Sequence, residues 1–591
     1  MRTIFPALLV AALLLCACSA GLGFDNLQGS TSYSALSDSL SFTVNPLNHR
    51  TASAAPTGAQ SRPCTGSFVE HELPHVTGTA FERVTYFTSN GAGLAVGDLD
   101  NDGDEDFVLA NLLGPNQIFW NEGNWNFRPQ LLLDGSLRGL ALVDVDGDGW
   151  LDITATSRTG NLLYWRNRGG DNGPTPFLSE QEPARLLGIS GFAYSLQWGD
   201  LDKDGDLDLV TASYDASLEK QIGRRALDAT DQNGVFIYEN ENGRFLPTRL
   251  ASRSQGLALQ LQDLNGDRRL DILVGNDFDM HDAVFLNQRD GSWLAADLFA
   301  TTTFSTMSFD SGDIDNDGRP ELFAADMHPY SEEPEIMRQW LPVMETMPPP
   351  SPDDAPQVMA NVLQERQGDA WSDQAEAWRI PFSGWSWSAQ FGDIDQDGLL
   401  DLYVVNGMTA MEIFRHLPGD ELVEENQAYR NDGGNRFTPA PEWKLNSTAG
   451  GRGMSMADFD GDGDLDVLIN NLRSPSQMFE NQLCSGQSLL VDLRHPGSGN
   501  TRALGAELLL HTSTGIYRRS VHAAGGYLSG RSARQHFGLP LESSIIALEV
   551  RWPDRVLSLI DVRALPPGSL LTITRRAART DQPSSGEASQ P

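Results

Sequence analysis

Asp98-Leu99-Asp100-Asn101-Asp102-Gly103-Asp104-Glu105-Asp106, followed at once by Phe107-Val108-Leu109, is the stretch from which the rest of the chain can be read. Acids occupy alternate positions over nine residues, so their side chains can converge on one centre, while Gly103 permits the sharp turn that so small a loop needs. The apolar run behind the ninth position reads as a strand. The same phrase returns at Asp144, Asp200, Asp263, Asp313, Asp393 and Asp458. A single copy would be an acidic turn in solvent, but seven copies in register form a repeat, with one supersecondary unit per copy.

The candidate ligands are Asp98, Asp100, Asp102, Asp104 and Asp106 in the first loop, Asp144, Asp146, Asp148 and Asp152 in the second, and Asp200, Asp202, Asp204, Asp206 and Asp208 in the third. The fourth offers Asp263, Asn265, Asp267 and Asp271, and the fifth Asp313, Asp315, Asp317 and Glu321. Asp393, Asp395, Asp397 and Asp401 follow in the sixth, then Asp458, Asp460, Asp462, Asp464 and Asp466 in the seventh. Hard oxygen donors at this density suit Ca2+, one ion to a loop and up to seven in all. An EF-hand would place its bidentate acid at position twelve, where this chain has Leu109, Ala155, Thr211, Val274, Ala324, Val404 and Ile469. The fourth and fifth loops carry Arg269 and Arg319 at position seven, which ranks them lowest for cation affinity.

Position fourteen of each unit is a small polar residue: Asn111, Ser157, Ser213, Asn276, Asp326, Asn406 and Asn471. A later apolar strand follows, such as Ile118-Phe119-Trp120-Asn121 or Phe236-Ile237-Tyr238, and then a glycine turn. Units of this length with several short strands match propeller blades. The expectation is an all-β protein: a seven-bladed β-propeller over residues 66–482 and a small β-rich C-terminal domain over 483–575.

These loops resemble FG-GAP or VCBS-type repeats, the units of integrin α-chain propellers. Gly384-Trp385-Ser386-Trp387 and Ala325-Asp326-Met327 look like segments of the cartilage acidic protein family and its bacterial relatives. Those proteins join the propeller to an ASPIC/UnbV module. Ala503-Leu504-Gly505-Ala506, Gly525-Gly526-Tyr527-Leu528-Ser529, His536-Phe537-Gly538-Leu539 and Val550-Arg551-Trp552-Pro553 resemble that module in its order.

The apolar run from Ile4 to Leu15 is too short to span a bilayer and reads as the core of a signal peptide over 1–17. Leu15-Cys16-Ala17-Cys18 resembles a bacterial lipobox, which implies lipidation at Cys18, and Ser19 resembles an outer-membrane sorting residue. The implied location is the bacterial cell envelope, on either face of the outer membrane. Residues 18–65 read as a flexible tether and 576–591 as a disordered tail. Cys64 and Cys484 flank the propeller, and closure of a ring would make them neighbours able to form a disulfide.

A net charge of −38 argues against nucleic acid as a partner. No nucleophile elbow, zinc-type spacing or phosphate loop is present, so no catalytic residue is assigned and the chain is read as a non-enzyme. Insertions at 215–233, with Lys220, Arg224 and Arg225, and at 331–356 are candidate binding loops. The function expected is calcium-dependent recognition or adhesion, with propeller loops that bind an envelope or extracellular protein or glycan. The alternatives are a lyase-like polysaccharide-active enzyme and a structural scaffold of an envelope complex. Oligomeric state is left open.

Overall fold

The computed structural model describes residues 39–47, 64–79, 83–169, 183–278, 280–346, 356–368 and 370–576. Cys18 and the signal segment lie outside them. Among the described residues, seven sheets follow one another along the chain, and each begins with a strand that runs directly into one of the acidic loops. In the first sheet, Leu94–Gly97 leads into the loop and Asp106–Leu109 leaves it, and Pro115–Asn121 and Phe127–Asp134 complete an antiparallel meander. The leading strands of the others are Leu137–Val143, Ser195–Gly199, Gly256–Gln262, Ser308–Gly312, Gly384–Gly392 and Gly451–Ala457. Each touches the next, and the last returns to Leu94–Gly97, so the strands close a circle. The architecture is all-β and propeller-like. Since every acidic loop joins a first strand to a second, all seven lie on one side of the ring.

The circle is sealed by exchange of chain ends. Val69–Val76 pairs antiparallel with Pro475–Glu480 and supplies the outer strand of the last sheet. Beside this seam Cys64 and Cys484 are disulfide-bonded, with Cα atoms 5.8 Å apart.

The C-terminal module consists of two four-stranded sheets around a common apolar core that includes Leu489, Val491, Leu493, Leu508, Phe537, Leu548 and Ile573. One of its strands comes from the other end of the chain. Ser39–Pro46 pairs antiparallel with Ser569–Arg576, which corrects the reading of 18–65 as tether throughout. Leu40, Phe42 and Val44 alternate with Ser41 and Thr43, the period of a half-buried strand, and these three apolar side chains pack into the module's core.

The module lies on the acidic-loop side and sends Gly525–Gly530 into the ring. Gly530 N–H donates to the Leu94 carbonyl at 2.8 Å, Gly526 N–H to that of Phe309 at 3.1 Å, and Leu140 N–H to that of Leu528 at 3.3 Å. Tyr527, fully buried, meets the Tyr194 hydroxyl at 2.9 Å and packs on the Trp387 ring. Gly526 has φ +68°, and a Cβ there would fall 2.2 Å from the Ser388 hydroxyl. The Gly-Gly-Tyr sequence is therefore what a segment needs to enter a space crowded by the side chains of Ser388, Gln390 and Arg531.

The insertions fold against the body. Asp215–Ile222 and Arg224–Asp228 are short helices, and Arg224 is engaged by Glu219 and Asp228 rather than held free for an anion. In the helix Pro334–Met344, Trp340 is fully buried, donates to Glu424 at 2.8 Å and lies 5.6 Å from the Trp385 ring. Among the described residues no helix is long and apolar enough to cross a membrane.

The 420-residue separation of the bonded cysteines makes their link a constraint on nearly the whole ring. Cys64→Ser, or reduction of the wild type, is expected to lower stability by about 2–4 kcal/mol, read as an earlier midpoint in urea with little change in far-ultraviolet circular dichroism.

Candidate metal centres

The ninth acid of each loop is what closes it. Leu99, Val145, Leu201, Leu264, Ile314, Ile394 and Phe459, all at position two, donate their N–H groups to Asp106, Asp152, Asp208, Asp271, Glu321, Asp401 and Asp466 at 2.8–3.0 Å. Positions four and six are left-handed in every loop, as at Asn101 and Gly103. Six loops have glycine at position six, whereas the fourth has Arg268 at φ +65°.

This folding brings together the first, third and ninth acids. Asp98, Asp100 and Asp106 offer oxygens within 4.8 Å of one another, as do Asp144, Asp146 and Asp152; Asp200, Asp202 and Asp208; Asp313, Asp315 and Glu321; and Asp393, Asp395 and Asp401. These groups could hold metal ions. Oxygens of Asp98, Asp104, Asp206, Asp313, Asp393 and Asp395 are buried with no hydrogen-bond donor, a condition that a bound cation would relieve. The fifth-position acids are partly used elsewhere. Asp148 pairs with Arg166 at 3.0 Å, Asp317 with Arg319 at 2.5 Å, and Asp397 accepts the Leu399 N–H at 2.8 Å. Arg319 thus grips a candidate ligand of its own loop, while Arg269 donates to the Arg289 carbonyl at 3.5 Å.

Burial, followed in most cases by the like charge of loop neighbours, raises several of the first, third, seventh and ninth carboxyls. Asp98 is pushed up to about 6, Asp104 and Asp152 to about 8, and Asp106 and Glu321 to about 9. Arg534 and Arg494 act in the opposite direction on Asp98.

Those arginines belong to the C-terminal module, which rests on the loops. Arg494 lies 3.7 Å from Asp98, Arg534 3.3 Å from Glu105, and Arg519 3.8 Å from Asp393. Arg531 pairs at 2.6 Å with Asp310, just ahead of the fifth loop. Single hydrogen bonds fill the gaps: Thr501 donates to Asp144 at 2.5 Å, Asn500 N–H to the Gly205 carbonyl at 2.7 Å, and Arg518 to that of Gly318 at 2.7 Å. The His536 ring meets the Gly463 carbonyl at 3.1 Å.

A recurring asparagine ties each loop to its neighbour. The N–H groups of Asn121, Asn167, Asn240, Asn287, Asn431 and Asn481 donate to the ninth acid of their own sheet at 2.7–2.9 Å. Five of these side chains also reach the position-two carbonyl of the preceding loop: Asn121 to Phe459, Asn167 to Leu99, Asn287 to Leu201, Asn431 to Ile314 and Asn481 to Ile394. Sequence reading did not single out this set. Its signal is an asparagine at the end of the third strand, visible in Phe119-Trp120-Asn121 and Phe285-Leu286-Asn287. The position-fourteen column has a parallel role on the far side of the ring, where Asn111 accepts the N–H groups of Gly78 and Leu113 and donates to the Val76 carbonyl.

A ring of sheets carrying acidic loops, capped by a second β-module, defines the class. The FG-GAP-like repeat model matches residues 98–155, 144–211, 263–324 and 418–469, and the ASPIC and UnbV model matches 496–580. The chain belongs to the proteins that combine these two elements. It is similar to cartilage acidic protein 1 of Mus musculus, 22% identical over 81% of this chain and 73% of the relative, and to that of Homo sapiens, 28% identical over 31% and 27%. Among solved structures, the V. cholerae biofilm matrix protein Bap1 overlaps 84% of this chain and 63% of its own, with 13% identity and a TM-score of 0.28. BBS1N, crystallised with ARL6DN, overlaps 70% and 96% with 10% identity and a TM-score of 0.36. Both overlaps are loose.

Two outcomes follow from the loop geometry. Raised carboxyls mean that the folded, metal-free chain binds protons more tightly than the unfolded one. The stability these groups contribute is therefore fully present below about pH 4 and is lost as pH rises through the values of about 8 and about 9 at Asp152 and Asp106. Saturating divalent cation is expected to reverse that slope, checked by thermal unfolding at about pH 5 and about pH 8.5 with chelator and with metal. Asn481→Ala, which leaves buried acceptors in two loops without their donor, is expected to cost about 1–3 kcal/mol by denaturant titration.

Proposed function

We propose that this is a calcium-stabilised recognition protein of the bacterial cell envelope, lipid-anchored through Cys18, whose ion-held ring presents binding surfaces to a glycan or protein. The observation that carries the reading is the covering of the acidic loops by the C-terminal module. Ions held beneath Arg494, Arg519 and Arg534 would act by holding the ring and the module together, and ligand binding would depend on calcium through the fold. The choice of Ca2+ rests on all-oxygen donor sets that draw on flexible loop carboxylates, and extracellular modules of this chemistry bind at about 0.1–1 mM. The FG-GAP-like and ASPIC and UnbV matches suggest a surface or adhesion role.

The test is binding of the purified chain to immobilised envelope glycans and proteins, in calcium and in chelator, with product size followed over time. Calcium-dependent retention without loss of polymer length is the expected result. Steady shortening of a polysaccharide would instead establish an enzyme, and retention indifferent to chelator would remove calcium from the account.

A further inference from the structure

The C-terminal module does not close everywhere onto the ring. Beside the third and fourth loops a cleft of about 280 Å³ remains, near the lower end of the range for small-molecule sites. Among the described residues the module makes no hydrogen bond to the fourth loop, and that is where the cleft opens.

Its lining runs against the character of the chain. On a protein of net charge −38, Lys203, Arg268, Arg269 and Arg555 converge on this one space. None of the four forms an ion pair with an acidic side chain among the described residues, and Lys203 donates instead to the carbonyls of Arg268, at 2.5 Å, and Pro553, at 3.2 Å. The Nε of Arg269 is buried without an acceptor. The carboxylates at the rim have other partners or duties. Glu507 pairs with Arg518 and with Arg551, Glu549 pairs with Arg551, and Asp200 and Asp263 belong to the metal loops. Arg268 stands at the left-handed position that glycine fills in the other six loops, so a side chain is carried there against backbone preference.

A second, uncharged observation points to what else the ligand carries. Gln262 lines the cleft with only 7% of its surface exposed, and neither its amide oxygen nor its amide nitrogen has a hydrogen-bond partner. An amide offers a donor and an acceptor side by side, which is what a hydroxylated ligand satisfies. Pro553, Val556 and the exposed Leu557 add an apolar wall suited to the C–H face of a ring.

We propose that this cleft binds an acidic saccharide, with a sugar carboxylate or sulfate held by Arg268, Arg269, Arg555 and Lys203 and a ring hydroxyl held by Gln262. Guanidinium groups match such oxyanions in geometry as well as charge. The site supplies a place and a ligand class for the recognition reading, on which it rests.

Calorimetric titration of the full purified chain in calcium tests it, with oligogalacturonate, a sulfated disaccharide, a neutral galactose oligomer of equal length and inorganic phosphate. At least one acidic saccharide is expected to bind at one site per chain, about tenfold or more tighter than the neutral oligomer or phosphate. Which acid binds distinguishes carboxylate from sulfate. Arg268→Asn and Arg555→Asn, which suit their left-handed backbone, are each expected to weaken that binding about fivefold or more with unchanged melting temperature. Gln262→Leu is expected to weaken it with all four cations intact. Equal binding of the neutral oligomer, phosphate binding as tight as saccharide, or insensitivity to both arginine variants would overturn the proposal. Absence of saccharide binding would overturn it too, and if calcium-dependent retention on envelope material persisted, the recognition reading would survive alone.

Discussion

Carboxylates held a few ångströms apart in a buried loop repel one another by several kcal/mol at low effective dielectric, and this repulsion is the constraint around which the chain is organised. Seven loops impose it on one side of one ring. Each is answered locally by backbone N–H groups that point at the ninth acid, and some in addition by arginines brought from the C-terminal module. What those donors leave unmet are single buried oxygens such as those of Asp98 and Asp393, and a cation is the natural complement. The interface between the two modules is thus an electrostatic one at its rim, with an apolar centre where Tyr527 enters.

That arrangement alters how the acidic loops contribute to function. An exposed metal on a propeller can bridge directly to a ligand, whereas here the module's arginines and threonine occupy the approach at the first, second and sixth loops. The fourth loop is the exception. Its departures from the pattern, Asn265, Arg268 and Arg269, coincide with the place where the module stands off.

The repeat, the strand after each loop and the second module were legible because each has a local signature: alternating acids, β-branched runs and a Gly-Gly-Tyr segment. The contribution of Ser39–Pro46 to the C-terminal module was less visible. Its alternation of Leu40, Phe42 and Val44 is short, and its partner strand lies more than 500 residues away, beyond any local pattern. The asparagine latches were partly spelled out, yet their meaning depends on which loop sits next door in the closed circle. The basic cleft was hidden for a similar reason. Lys203, Arg269 and Arg555 are scattered over the chain, and read singly Arg269 suggested only a weakened ion site. Lys220, Arg224 and Arg225, close together in sequence, looked the better anion grip, but helix geometry turned Arg224 onto its own neighbours.

The bond between Cys64 and Cys484 spans the ring's only seam among the described residues, where Val69–Val76 meets Pro475–Glu480. Mechanical tension entering the chain ahead of Cys64 and leaving it beyond Cys484 would pass from one sulfur to the other, and the residues between them would carry none of it. Tension applied at the two chain ends would fall on the pairing of Ser39–Pro46 with Ser569–Arg576, while the seven sheets of the ring and their acidic loops stayed unloaded.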